Sequence, residues 1–269
     1  MNHLFRELAP VSAAGWAAIE DEAGSTLRTY LAGRKLVDFS GPHGWEYSAV
    51  DLGRVDAVKS SHADVGASVR KVLPLVELRT DFTVSRAELD AIERGSQSPD
   101  LDPVRDAAVR LAEAEDKAIF HGFDAAGIQG LSQASEYAPV PIPGEYEDYP
   151  SAVAKAVARL RSGGVDGPYA IALGPRCYTG VVETTEGGYP ILNHIRMILD
   201  GPIIWAPAVD GAVVVSTRGG DFELTTGQDA SIGFASHDAG GVSLYLQESI
   251  TFSVHAPEAA IALVYGKRK

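Results

Sequence analysis

The stretch RGGDFELTTGQDASIGF, Arg218–Phe234, holds the residue types best suited to chemistry. Adjacent glycines at 219 and 220 could cradle a phosphate, and Asp221, Glu223 and Asp229 could ligate a metal. Neither reading finds its remaining parts. The seven histidines are scattered, and none stands at a zinc-ligand spacing from Cys, Asp or Glu. His237 and Asp238 are adjacent, which puts them on opposite faces of an extended chain. Cys177, the single cysteine, follows Pro175 into the first turn of a helix, where the dipole favours a thiolate. A buried structural thiol is the commoner state of such a residue. GFDAAGIQG has the two glycines of a phosphate loop, but Ile128 and Gln129 stand where Lys and Ser/Thr must be. In DASIG, Asp229 takes the place of the first glycine of a hydrolase elbow. Glu113, Asp116 and their neighbours read as the polar face of a helix. No catalytic set, metal site or cofactor is expected, so the chain does not read as an enzyme.

Composition narrows the remaining classes. The 269 residues are 45% hydrophobic and 22% charged, as in a globular protein with a real core. A net charge of −13 opposes both nucleic-acid phosphates and anionic membrane surfaces. Lys267, Arg268 and Lys269 form the one basic cluster, expected as a solvated tail. Neither a signal-peptide core nor a membrane-length apolar run is present. A single cysteine fits a reducing compartment, and a cytoplasmic protein is expected.

The elements that must position these residues are read from periodicity. A short helix is expected over about residues 2–9, stopped by Pro10. Ser12 caps a longer helix with Trp16, Ile19, Ala23, Leu27, Tyr30 and Leu31 at helical spacing, and Gly33 ends it. LVDF, WEYSAV and RVDAV read as short strands. From Val76 to Val84 the chain alternates apolar and polar residues, and extended character begins as early as Val69. Sixteen such residues would span roughly 50 Å, about the diameter of a compact chain of this size; the length hints at a partner subunit. Ser85 with Glu88 forms a capping box, and Asp102–Pro103 opens a helix carrying Val104, Ala107, Leu111, Ala114 and Ala118 on its inner face. After the Pro-rich loop PVPIPGEYEDYP, helical and strand patterns alternate, and the C-terminal part is β-rich. The fold class is α+β.

Several stretches together resemble the encapsulin shell proteins, the linocin-like family. They are LFRELAPVS with Trp16, AGRKLVDFSGP, FTVSRAELDAIERGSQSPDLDPV, AEDKAIFHG, VDGPY, GGYPI, and IIWAPAVDGAVVVSTRGGDFELTTGQDASIGFASHD with YLQESITF. The match runs from about residue 2 to 265. The resemblance implies the fold of tailed-phage major capsid proteins, with residues 1–269 as one shell protomer. Its parts would be an N-terminal helix at about 2–9, an extended loop at about 45–84, and peripheral and axial subdomains, the axial one at about 135–225. Sixty copies, or a larger icosahedral multiple, would close into a hollow particle. Cargo would enter through C-terminal targeting peptides, the cargo being a dye-decolourising peroxidase or a ferritin-like protein for oxidative-stress defence or iron storage. On the inner face Phe5, Leu8, Leu31, Ile232 and Phe234 would give apolar contact to that peptide, with Leu31 equally a core residue. Arg34, Asp38 and Asp229 would fix the peptide's polarity. Thr184, Thr185, Glu186, Gly187, Gly188 and Tyr189, by themselves a flexible surface turn, would ring a five-fold pore. Some relatives stack a flavin on a tryptophan at the start of the helix after the extended segment. Ala87 stands there in this chain, so no flavin is expected. The alternative is a phage capsid protein packaging DNA; such chains often carry an N-terminal scaffolding segment, and this sequence starts almost directly at a helix.

Overall fold

The computed structural model describes residues 2–266; the basic Lys267–Lys269 cluster lies outside the described residues. Ser12 accepts a hydrogen bond from the Gly15 amide at 3.0 Å and opens helix α1 (Ala13–Tyr30). The apolar stripe of α1 turns Ile19 and Ala23 fully inward, with Trp16 and Leu27 packed at the margin of the same core. A Cβ at Gly33 would come within 2.5 Å of Ile119 Cδ1, so only glycine lets the chain leave α1 along this path.

Strands β1 (Asp38–Ser40), β2 (Ala49–Val58), β3 (Ala67–Pro74) and β4 (Val76–Ser85) follow. WEYSAV and RVDAV do not form two strands. Ala49–Val58 runs as one, with a register shift between Asp51 and Val55 where Gly53 takes a φ of +64°. Among the described residues β2 and β3 pair only with each other and form a two-stranded ribbon. β4 carries the alternation from Val76 to Val84 and buries Phe82 and Val84. The extended loop expected over about 45–84 is therefore shorter. Its apolar face at 76–84 closes on the chain's own core, and only 49–74 forms the free ribbon.

Ser85 accepts the Glu88 amide and starts α2 (Arg86–Glu93). Next come α3 (Asp102–His121), α4 (Leu131–Ala134), β5 (Val140–Pro141), α5 (Tyr149–Ser162), β6 (Tyr169–Leu173) and α6 (Pro175–Glu183). They are followed by β7 (Thr185–Glu186), β8 (Tyr189–Pro190), α7 (Ile191–Leu199), β9 (Asp200–Trp205) and β10 (Ala212–Ser216). The chain closes with β11 (Phe222–Thr226), β12 (Ser231–His237), β13 (Gly241–Val254) and β14 (Ala260–Val264).

β13 is the spine of the first sheet. β4 lies antiparallel along one edge, β11 and β12 run in succession along the other, and β1 joins β11 in parallel. Val242, Leu244 and Leu246 of β13 face a core shared with Ile19 of α1 and Val104, Ala107 and Leu111 of α3. The second sheet has the order β5-β14-β10-β6-β9. β6 and β10 are buried at every position, as central strands covered on both faces must be, which is why they read as unbroken apolar runs. This sheet, expected as an axial subdomain over about 135–225, takes its strands from 140–216 and 260–264. The chain leaves it after β10, builds β11 to β13 in the first sheet, and returns as β14 between β5 and β10.

The N-terminal helix expected over residues 2–9 is reduced to one 3-10 turn, Arg6–Leu8. Phe5 takes a left-handed φ of +50°, and the Leu4 carbonyl accepts the Phe234 amide at 2.8 Å. That carbonyl is engaged by the free edge of β12 and is lost to helical pairing.

Candidate functional site

The N-terminal segment is held against the sheet by several contacts. His3 Nε2 lies 3.0 Å from Gln228 Oε1, and the Tyr245 hydroxyl donates to the His3 carbonyl at 3.4 Å. Arg6 pairs with Glu20 at 2.6 Å and lies over the Trp16 ring at 4.1 Å. Between this segment, α1 and the start of β12 runs a groove of about 250 Å³. Leu4, Ala23, Leu27, Ala230, Ile232 and Leu246 make it apolar, and Arg6 and Glu20 carry its only charges, already paired with each other. The groove can take an aliphatic side chain but offers no free ion to a charged one.

Of the expected peptide-contact residues, Ile232 lines this groove. Phe5 and Leu8 are exposed but lie outside its lining, and Leu31 is buried in the core. Phe234 is half-buried and packs on the first core. Asp38 lies elsewhere: its carboxylate accepts the Gly220 amide. Gly219 and Gly220 have φ of +87° and +80°, so the anion cradle read from RGG is filled by the chain's own carboxylate. Asp221 is tied to Arg218. Leu4, Arg6, Glu20, Ala23, Leu27, Ala230 and Leu246 were not among the expected contacts. Ala23 and Leu27 belong to the helical stripe, and a helical phase for residues 2–9 puts Leu4 on the same side as Phe5 and Leu8.

Arg34 and Asp229 meet at the mouth of a buried charge cluster. Arg34 Nε donates to Glu115 at 2.8 Å, Nη1 to Asp229 at 2.8 Å, and Nη2 to Glu248 at 3.1 Å. Asp116 accepts the amides of Ala32 and Gly33, both at 2.9 Å. Glu115, Asp116 and Glu248 are almost wholly buried. The reading of Asp116 and its neighbours as a polar outer face is thus corrected: one turn of α3 points its carboxylates inward because a guanidinium and two backbone amides await them there. Burial works against the Arg34 charge, but its bonds and charges to Glu115, Asp229 and Glu248 outweigh burial and raise its pKa. Burial pushes the Asp116 carboxyl up to about 7 against the pull of the Gly33 and Ala32 amides. Burial, followed by the neighbouring Glu115, raises Glu248 well above the usual carboxylate range, and its Oε1 has no hydrogen-bond partner. Arg34 is therefore a structural counter-ion first.

The TTEGG segment is a β-hairpin. β7 pairs with β8 across Gly187 and Gly188, whose φ of +57° and +85° give a tight two-residue turn. Thr184 caps α6, Glu186 lies 3.5 Å from His194 Nδ1, and Tyr189 stacks on the His194 ring at 4.8 Å. Gly187, Gly188 and Glu186 are exposed at the tip. The β2–β3 ribbon is unusual in another way: Leu52, Val55, Val58, Val69 and Val72 are all exposed on it, an apolar surface of the kind that meets a partner.

Among the described residues, no group of three or more His, Cys, Asp or Glu could hold a metal, and no helix is long and apolar enough to cross a membrane. Cys177 is buried, 2.9 Å from the Tyr265 hydroxyl, and Ala87 is exposed on the first turn of α2.

Residues 1–251 match the family described as "Encapsulating protein for peroxidase". Over 270 residues the chain is 52% identical to the type 1 encapsulin shell protein of Rhodospirillum rubrum, covering 98% of this chain and 96% of that one. The chain belongs to the encapsulin shell-protein family. A second encapsulin, the type 1 shell protein of Mycobacterium tuberculosis, is 48% identical over 263 residues, with 98% and 99% of the two chains covered. The fold is that of tailed-phage capsid proteins. A virus-like particle from Pyrococcus furiosus superimposes with a TM-score of 0.67 at 14% identity, covering 91% of this encapsulin and 98% of that chain. Mycobacterium phage Bobi gives 0.58 at 12% identity, with 89% and 91% covered.

Proposed function

We propose that this encapsulin self-assembles into a closed icosahedral shell of sixty or more copies and that cargo enzymes dock inside it, in the cytoplasm. The free β2–β3 ribbon carries the assembly half of the reading. Its exposed valines have no cover among the described residues, and an exposed apolar strand pair with free edges is a ready surface for a neighbouring subunit to cover. Purified protein is expected as one large particle, whereas a stable species below about 100 kDa, fewer than four subunits, would count against closure.

The groove between the N-terminal turn, α1 and β12 supports the cargo half. An extended C-terminal peptide with aliphatic side chains fits its apolar lining, and a peroxidase is the cargo class that the family's description names; a ferritin-like protein is the other candidate. Arg34 and Asp229 would bound the peptide's path at the exposed Asp229 end, and Phe5 and Leu8 offer further apolar contact beyond the groove. Ala230→Asp places a charge in the groove at a half-buried position on the margin of the core, so particle size is checked alongside loading. Intact shells that have lost their cargo are expected, and full shells would refute the docking site.

The hairpin at Thr184–Tyr189 is proposed as the rim of the five-fold pore, with Glu186 presenting a ring of like charge. Such a ring favours cations over anions.

A further inference from the structure

Two glycines interrupt α1, and they differ in what requires them. A Cβ at Gly15 would meet Val11 Cγ1 at 3.0 Å and Leu89 Cδ2 at 3.5 Å, so packing within the subunit accounts for that one. A Cβ at Gly24 would meet only Arg28 Nη1, at 3.3 Å, the far end of a flexible exposed side chain. Gly24 has ordinary helical backbone, and glycine inside a helix is less stable there than alanine. Nothing in the subunit needs a glycine at 24, and α1 is weaker for having it.

Gly24 lies in the wall of the apolar groove, one turn after Glu20 and one turn before Leu27. Arg6 and Glu20 neutralise each other at the rim, so the floor presents carbon and small side chains only. We propose that Gly24 is the specificity-determining position of the groove: its missing side chain lets the backbone of a neutral, extended peptide lie against α1 while an aliphatic side chain of that peptide enters between Leu27, Ile232 and Leu246. This inference rests on the reading of the groove as the cargo-docking site. Adding a methyl group at 24 narrows the groove beside the peptide backbone, and adding an isobutyl group obstructs the path along α1.

The test co-expresses the full-length chain with a fluorescent protein carrying a C-terminal octapeptide of glycine and serine, either with two leucines or with none. Fluorescent protein per purified shell is the readout, with particle size checked for each variant. Wild-type shells are expected to load the leucine tag well above the serine tag. Gly24→Ala shells should load the leucine tag about threefold less and Gly24→Leu shells at least about tenfold less, as steric overfilling of a packed site predicts. A structural role would not show the accompanying signature. Gly24→Ala should raise the apparent melting temperature by about 2 °C while lowering loading, because helix propensity and docking pull in opposite directions. Undiminished loading of the leucine tag by intact Gly24→Leu shells would overturn the role of Gly24 and leave the docking site standing. Equal loading of the two tags by wild-type shells would overturn both.

Discussion

Arg34 holds the buried charges of the subunit together. It touches Glu115, Asp229 and Glu248 at once, and removing it leaves buried carboxylates without a counter-ion. Arg34→Ala should destabilise the folded chain by about 3–5 kcal/mol, the usual cost of breaking a buried ion pair from one side, measured by denaturant unfolding. Glu248→Gln should be far milder, because a neutral group in that place resembles the protonated carboxyl that burial favours there. Asp116 makes stability depend on pH with a definite sign. Its carboxyl titrates near 7 in the folded chain and near 3.8 when the environment is lost, so between those limits the folded state holds a proton that the unfolded chain has released. The Asp116 contribution to stability is therefore fully present below that window, falls as pH rises through it, and is on the order of 4 kcal/mol smaller at neutral pH. Glu248 contributes in the same direction. Asp116→Asn should flatten the melting-temperature profile between the two limits, and an unchanged slope would show that Asp116 does not titrate there.

At the level of elements, the two halves of the extended segment should respond differently to the same kind of change. Val69 is exposed on the ribbon, so Val69→Asp should leave the subunit folded and abolish the particle, as read by sedimentation. Phe82 is buried in the core that residues of β13 and α3 share, and Phe82→Asp should cost several kcal/mol and remove folded subunit altogether. The sequence marks both segments as strands, since alternation is a local property. It does not mark where the ribbon leaves the sheet, because an apolar face reads alike whether its own core or a neighbour covers it. The long helices were legible for the same local reason: Ile19 with Ala23, and Val104 with Ala107 and Leu111, recur at helical spacing. The groove was legible only through Ile232 and the α1 stripe. Its walls come from residues 4, 6, 20, 23, 24, 27, 230–232 and 246, and no window of sequence contains them together. The N-terminal turn was misread because Leu4 pairs with Phe234, a contact that helical spacing cannot anticipate. Glu113, Asp116 and their neighbours read as a polar outer face because carboxylates on a helix are ordinarily solvated; Arg34 and the amides of Ala32 and Gly33, which make burial of Glu115 and Asp116 tolerable, lie some eighty residues earlier.

For the whole particle, the hairpin proposed at the pore links shell to cargo. Glu186→Lys shells loaded with a ferritin-like cargo should take up iron(II) several-fold more slowly than wild-type shells, with the difference shrinking at high ionic strength as the ring charge is screened. Uptake that ignores both substitution and salt would mean that ions enter elsewhere. The interleaving of the two sheets has a consequence in time. A chain made as far as β10 already has its ribbon, but β10 still lacks one neighbour, because β14 arrives only after β11, β12 and β13 have been laid into the other sheet. Such non-local pairing forms slowly, and open strand edges are prone to stray association meanwhile. The order of synthesis therefore runs as a clock with an awkward phase. The sticky surface exists early, and the body that must carry it in the correct orientation is finished only once residue 264 has been made.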